Sequence, residues 1–280
     1  MLYYARLIEK VRIDMSRFGK DLHKFKKYVK YSAKSSLKSE VAGSYLGWLW
    51  WILEPMLFML VYWFIFSVIF NNTTKYFPIF IFIGLSMWNF FSKGLTDSVH
   101  MVKSNESIIS KVYMPKHMLI ISDMLTLLFK MIISFLIVVI MMIIYKVPVS
   151  FYVLWIIPVM ITFFLLSYGL NCIIAHFGVF VEDLGKAINI LLRVLMYMSG
   201  VFYEIVSRST GKTKLKEPIA TIMTKFNPIA FLMDCARDCL IYQMNVRYKF
   251  LAAWFVVSVI VAIIGTRLIY KYENSYVKVI

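Results

Sequence analysis

Residues 49–70 pass twenty-two positions with one charged side chain, Glu54. At about 1.5 Å of rise per residue, a helix of that length covers the roughly 30 Å hydrocarbon core of a bilayer, where backbone polar groups must be satisfied within the segment. The pattern repeats. A second run starts at residue 77 and lasts sixteen positions before Lys93, and a third, 118–145, carries only Asp123 and Lys130. A fourth opens at 151 and meets no Asp, Glu, Lys or Arg until Glu182; a fifth, 187–203, holds Arg193; a sixth, 250–266, ends before Arg267. The expected fold is an all-α integral membrane protein with six transmembrane helices, the fourth too long for an untilted crossing. Soluble domains are about 45–50% apolar. Here hydrophobic residues make up 61%.

Six crossings place both termini on one side, and charge decides which. Residues 1–48 hold eleven Lys and Arg against four acids, and the faces joined to them carry nineteen cations against ten on the opposite face. Cytoplasmic loops collect positive charge, so both termini are expected in the cytoplasm. The formal charge of +16 then belongs to a membrane surface, and nucleic acid is not an expected partner. Within 1–48, Tyr4, Ile8, Val11, Met15, Phe18, Leu22, Phe25 and Val29 recur at steps of four and three. They form one stripe of an amphipathic interfacial helix whose lysines meet anionic headgroups. A coiled-coil seam is the rival reading, and Gly19 and the scattered aromatics suit it poorly. No unbroken apolar core follows a short basic start, so the segment does not read as a signal peptide.

The last external connection, about 207–248, is too apolar over 218–244 for a solvated loop, yet Asn227-Pro228, Asp234, Arg237 and Asp238 interrupt it. That combination predicts short re-entrant helices before the last span, or else an amphipathic helix on the outer surface. Asn227 ahead of Pro228 is a natural helix cap. Motor and catalytic motifs are missing. Gly211-Lys212-Thr213 resembles the end of a phosphate-binding loop, but Val206 stands where that loop needs its first glycine. His23, His100, His117 and His176 show no paired spacing, and Cys172, Cys235 and Cys239 give neither a disulfide framework nor a zinc site. Asn71-Asn72-Thr73-Thr74 matches glycosylation sequons at the exit of a span and is given no role. No catalytic residue, metal ligand or cofactor is assigned to this chain, so energised transport needs a motor on another polypeptide.

Between the second and third spans, Ser104 to Ser107 supply helix-starting residues and Pro115 stops the turn. Ile108, Ile109, Val112 and Tyr113 share one face. The predicted helix, about 104–115, is sized to dock into a groove on a soluble partner, with rest on the inner leaflet as the alternative.

Four segments carry a family resemblance. Ser44-Tyr45-Leu46-Gly47-Trp48-Leu49-Trp50 runs into Leu53-Glu54-Pro55, and Lys111-Val112-Tyr113-Met114-Pro115-Lys116 precedes the third span. Val181-Glu182-Asp183-Leu184 precedes the fifth, and Phe226-Asn227-Pro228-Ile229-Ala230 is followed by Arg237. In this order they resemble ABC-2 type export permeases, and within them the branch exporting lipid-linked polysaccharides such as O-antigen, capsule or wall teichoic acid. Glu182 departs from that pattern, since many relatives place a basic residue before the aspartate. The resemblance implies a transport subunit and not an enzyme, homodimeric in the bacterial plasma membrane, with ATP and magnesium bound by a separate ABC ATPase subunit. It also implies a channel along the dimer axis lined by the first and fifth spans, which passes a lipid-linked glycan. The N-terminal amphipathic region and Ser107, Ile108, Ile109, Val112 and Tyr113 would contact the ATPase. An ABC-2 exporter of a drug or small lipophile has the same architecture and is the alternative.

Aromatic residues are 17% of the chain, beyond what anchoring six spans uses. Flat side chains let sugar rings slide on weak, repeated contacts, so Tyr62 and Phe66 in the first span and Tyr197 and Tyr203 in the fifth are channel candidates. Arg193 inside the fifth span costs about 2.5–3.5 kcal/mol at the bilayer centre and should face protein or water. Its fork suits a pyrophosphate, while an ion pair to Glu54, Glu182 or Asp183 is the structural alternative. Asp123, Thr126, Lys130 and Ser134 make a polar stripe on the third span, read as buried pairing. The domain reading is an interface region, 1–48, a transmembrane domain, 49–270, and a cytoplasmic tail, 271–280.

Overall fold

The computed structural model describes residues 2–69, 74–205 and 222–276, with side chains from residue 16 onward. The side chains of Tyr4, Ile8, Val11 and Met15, most of the sequon stretch, and the Gly211-Lys212-Thr213 motif with its neighbouring cations lie outside the described residues.

Among the described residues every regular element is helical. The chain opens with α1, Leu2–Val41, and after a turn enters α2, Trp50–Trp63, which a π turn extends over Phe64–Ile69. Then come α3, Phe77–Val99, two single-turn helices α4, Met101–Ser104, and α5, Glu106–Ile109, and the long α6, Lys116–Ile144. A 3-10 turn over Phe151–Trp155 leads into α7, Ile156–Phe180, followed by α8, Leu184–Met198, α9, Pro228–Arg237, and α10, Tyr248–Tyr276. Five of these stretches are long and apolar enough to cross a membrane: Gly47–Ile69, Phe77–Val99, Lys116–Ile144, Phe151–Phe180 and Tyr248–Tyr276.

The expected fifth span is different. α8 has 15 residues, about 22 Å of rise, which falls short of a crossing. Its stop is local: Ser199 ends the helix and Gly200 takes φ 63°, a left-handed conformation that only glycine adopts without strain. α10, by contrast, runs past residue 270, where the sequence reading ends the membrane domain, because Ile269, Glu273 and Tyr276 continue one buried stripe.

α3 is the central element, with 78% of its apolar window buried against 6% for the first span. α7 and α10 run side by side in the same direction at very close range. A Cβ at Gly169 would sit 2.5 Å from the Ala262 nitrogen, and one at Gly265 would sit 2.5 Å from the Gly169 carbonyl oxygen. Small residues at such a crossing let backbones touch, which within lipid supplies the packing that a hydrophobic driving force cannot. Two bonds align the pair along its length, Tyr168 to Thr266 at 3.0 Å and His176 Nδ1 to Tyr276 at 2.9 Å.

The described part of α1 lies along the chain's own spans. Val29 and Ala33 are buried, and Phe18, Phe25 and Tyr28 pack against the core. Glu40 at its far end pairs with Lys130 in α6 at 2.5 Å. From Phe18 onward the apolar stripe thus turns Phe18, Phe25 and Val29 toward protein, while Leu22 is exposed.

On the opposite side, Ile229 to Arg237 of α9 are all buried. Asn227 caps this helix by accepting from the Ile229 and Ala230 amides at 3.0 and 3.2 Å, and it donates to Ser199 at 3.0 Å, tying α9 to the end of α8. Arg237 completes the join. It donates to the Phe80, Gly200 and Val201 carbonyls at 3.2, 2.9 and 2.9 Å, so one guanidinium holds α3 and the post-α8 turn together.

Candidate functional site

A cleft of about 600 Å³ opens between α2, α3, α6 and α8. α2 contributes Glu54, Phe58 and Tyr62, α3 Asn89, Lys93 and Asp97, α6 Lys130 and Ser134, and α8 Asn189 and Arg193. Pro55 in α2 borders it, lacking the N–H that would bond the preceding turn. α8 buries Gly185, Ile188 and Leu192 on one stripe and turns Arg193 and Asn189 to the cleft. Among the described residues Arg193 has no ion pair; of the partners considered for it, Asp183 instead pairs with Lys186 at 3.1 Å and Glu54 shares the cleft wall. A neighbouring cavity of about 510 Å³ shares Glu40, Lys93, Asp97 and Lys130 and adds His100 and Asp123. Polar groups therefore line two adjoining hollows with a shared wall. Ionisable residues at such depth face water or protein.

Three of the five channel candidates converge on a residue the sequence reading passed over, and a fourth bonds to one of them. Phe202, buried just after α8, has ring centroids at 4.2 Å from Tyr62, 5.5 Å from Phe66 and 6.2 Å from Tyr197. Tyr203 donates to the Tyr197 carbonyl at 2.6 Å. The fifth candidate, Arg193, is one turn before Tyr197 on α8. The α2 and α8 candidates thus meet through one aromatic cluster at the far end of the cleft.

At the other end of the bundle, the segment after α3 is shorter than the predicted docking helix. α5 covers only Glu106–Ile109 and the chain turns up to Pro115. Ile109 is buried within the chain and Ile108 packs against the core, while Ser107, Val112 and Tyr113 are exposed. The five residues therefore do not form one free face. Tyr113 is the link inward: its hydroxyl accepts from Arg17 Nη2 at 2.9 Å and donates to Glu273 Oε1 at 3.1 Å, and Arg17 itself meets Glu273 at 2.7 Å. Burial disfavours the Arg17 charge, but the Glu273 carboxylate, together with the Tyr113 and Tyr270 hydroxyls, outweighs it and raises the guanidinium above its ordinary range. Burial, and next the same carboxylate, raise the Tyr113 phenol, which stays protonated and can donate. Tyr270 adds a bond to Asp21 at 2.7 Å, with Arg17 over its ring at 4.3 Å. One knot thus joins α1, the 106–115 turn and α10. The sequence signal for it was slight: an acid and a tyrosine, Glu273 and Tyr276, kept on a helical stripe past the last apolar run.

Residues 28–241 match the membrane-domain family described as ABC-2 type transporter. The chain belongs to the ABC-2 type transporter family. Its curated relatives include the O-antigen export system permease protein RfbA of Klebsiella pneumoniae, 22% identical over 245 residues, which cover 87% of this chain and 91% of that one. Another is the O-antigen export system permease protein RfbA of Myxococcus xanthus, 26% identical over 219 residues, covering 78% and 82%. As an ABC-2 type transporter the chain is a multi-pass membrane protein and a transport subunit. The family match takes in the cleft, the aromatic cluster and α9, and begins inside α1 just before its buried Val29.

Proposed function

We propose that this chain is the permease subunit of an exporter that moves a lipid-linked polysaccharide outward across a bacterial plasma membrane, powered by ATP and magnesium in a separate ABC ATPase. The observation that carries the reading is the polar, aromatic-rimmed cleft between α2 and α8, which holds Arg193 with no ion pair among the described residues, in a chain whose relatives are named as O-antigen export permeases. Two copies of the chain would bring two such clefts together about a shared axis. Arg193 would meet the carrier diphosphate bidentately, and the Tyr62, Phe66, Tyr197 and Tyr203 surfaces would pass sugar rings without gripping them.

In this reading both termini are cytoplasmic, in keeping with the cation count, and the ATPase contacts the end that holds α1 and the 106–115 turn. α8 and α9 then provide the sixth crossing jointly: α8 starts beside His100 at the inner end, and α9 dips back from the outside as a re-entrant helix. Non-spanning backbone at that depth is supported by its burial in protein. Ser107, Val112 and Tyr113 are the surface offered to the ATPase, with Ile108 and Ile109 anchoring that surface to the bundle.

The test is ATP-driven movement of a labelled, carrier-linked glycan in vesicles containing this chain and its ATPase. Arg193→Gln removes a charge-assisted contact of about 1.5–3 kcal/mol, which lowers export roughly ten- to a hundredfold with co-purification of the ATPase unchanged. Undiminished export by that variant refutes the role of Arg193, and export without any nucleotide refutes the reading as a whole.

A further inference from the structure

Two contacts fix how α3 and α8 lie against each other. A Cβ at Gly185 would sit 3.0 Å from His100 Nε2, just past the end of α3, and a Cβ at Gly84 would sit 3.0 Å from the Val201 carbonyl oxygen, just past the end of α8. Between those contacts the two helices run antiparallel, side by side. Each turns an amide and a cation, one helical turn apart, into the cleft: Asn89 and Lys93 from α3, Asn189 and Arg193 from α8. Counted from either contact, the order along the pair is Asn189, Lys93, Arg193, Asn89. At 1.5 Å of rise per residue the four occupy about 10 Å, with the two cations in the middle at nearly one height. Among the described residues these four side chains have no hydrogen bond or ion pair, and Asn89 is the one exposed residue of α3 from Phe77 to Phe91.

Resting on the reading of this chain as a permease for a lipid-linked polysaccharide, we propose that Asn89 reads the first sugar of that glycan, the one bonded to the carrier diphosphate, so that export selects this sugar and not those that follow. A diphosphate between Lys93 and Arg193 points its glycan toward the aromatic cluster, because Tyr197 and Phe202 continue the α8 side beyond Arg193. Asn89 is the amide at that step. Ser86, the next polar residue of α3 on the way, already donates to the Phe82 carbonyl at 2.7 Å. An amide offers donors and an acceptor together, which matches neighbouring hydroxyls on a sugar ring. The cleft also holds the acids Glu54 and Asp97, so charge alone gives it little grip on a bare diphosphate. Cations, amides and carboxylates side by side suit a phosphate with hydroxyls next to it. Beyond Asn89 the Tyr203 hydroxyl is taken by the Tyr197 carbonyl, and Tyr62 and Phe66 lie against Phe202, so later sugars meet ring faces.

The experiment measures ATP-driven export in vesicles holding the full chain and its ATPase, with labelled polyprenyl diphosphate trisaccharides as probes. One set varies the first sugar among N-acetylglucosamine, N-acetylgalactosamine, glucose and galactose, and the other varies the third sugar among the same four. Changes in the first sugar should spread kcat/KM about tenfold, the ratio that one or two neutral hydrogen bonds give, and changes in the third less than about twofold. Asn89→Ala should lower the best probe about tenfold and shrink the first-sugar spread to about twofold, because the weaker probes lose little. Asn189→Ala should keep the spread, since Asn189 lies on the other side of the cations. Equal export of every first sugar overturns the inference and leaves the proposed function standing. So does a spread that follows the third sugar, that survives in Asn89→Ala, or that is lost in Asn189→Ala. A loss in Asn89→Ala shared equally by all probes marks the residue as structural and also overturns it. Export of none of the probes by the unaltered chain overturns the proposed function and this inference together.

Discussion

Replacing Arg237 should unfasten the outer half of the bundle. The side chain is 1% exposed, its guanidinium carbon lies 3.5 Å above the centre of the Phe80 ring, and its three donated bonds end on three backbone carbonyls. Arg237→Met keeps most of the stem's volume and removes all three donors. A bond from a charged donor contributes about 1.5–3 kcal/mol, while taking the charge away also removes its desolvation cost. What remains is the penalty for deserting buried partners, about 3–5 kcal/mol. Asp234, 3.8 Å from Arg237, keeps its other cation, Arg247, at 3.8 Å, which holds the loss toward the lower end. Arg237→Lys retains the charge but not the fork, and an ammonium that reaches one or two of the carbonyls should lose about half as much. The measurement is reversible unfolding in mixed micelles with rising SDS, read by tryptophan fluorescence. A loss below about 0.5 kcal/mol in Arg237→Met, the range of an ordinary surface change, would refute the keystone role.

Three further outcomes follow from the same packing. Gly169→Ala drives a methyl into the Ala262 backbone and should cost about 1–3 kcal/mol in that assay; no change would mean that α7 and α10 do not cross so closely. Asn227→Ala should cost about 1 kcal/mol through loss of the α9 cap, with Asn227→Asp recovering part of it because it keeps the cap and loses the donations to Ser199 and the Met198 carbonyl. Glu273→Ala releases Arg17 and Tyr113 together, and a coupling of about 1 kcal/mol predicts export per ATP hydrolysed falling about fivefold while hydrolysis continues. An unchanged ratio in reconstituted vesicles would show that the knot carries no coupling.

The apolar runs made the long helices legible, because a bilayer accepts few other structures. Local chemistry also read correctly at Asn227, where the cap needs only its own neighbours in sequence. The length of the fifth run did not, since one glycine with φ 63° outweighs an apolar continuation through Tyr203. The aromatic candidates were chosen by type and helical face, and the structure sets three of them, Tyr62, Phe66 and Tyr197, against Phe202, which nothing in its surroundings in sequence sets apart from the other phenylalanines. The Arg17, Tyr113 and Glu273 contacts join residues 96, 160 and 256 positions apart, and periodicity says nothing at such separations. The docking segment shows the same limit: Ile108 and Ile109 have the spacing of a free apolar face, yet the bundle itself claims them.

The burial of α3 has a consequence for how the protein is made. This segment holds Lys93 and Asp97 and is the least apolar of the five candidate crossings, yet it ends up with the fewest lipid neighbours. A translocating ribosome presents it when α2 is the one earlier crossing, and α2 covers less of it than α6 or α7 does. Its residence in the bilayer is secured later, as α6 and α7 emerge and enclose it. The order of synthesis therefore leaves the future centre of the molecule as its most weakly held part until the chain is more than half finished.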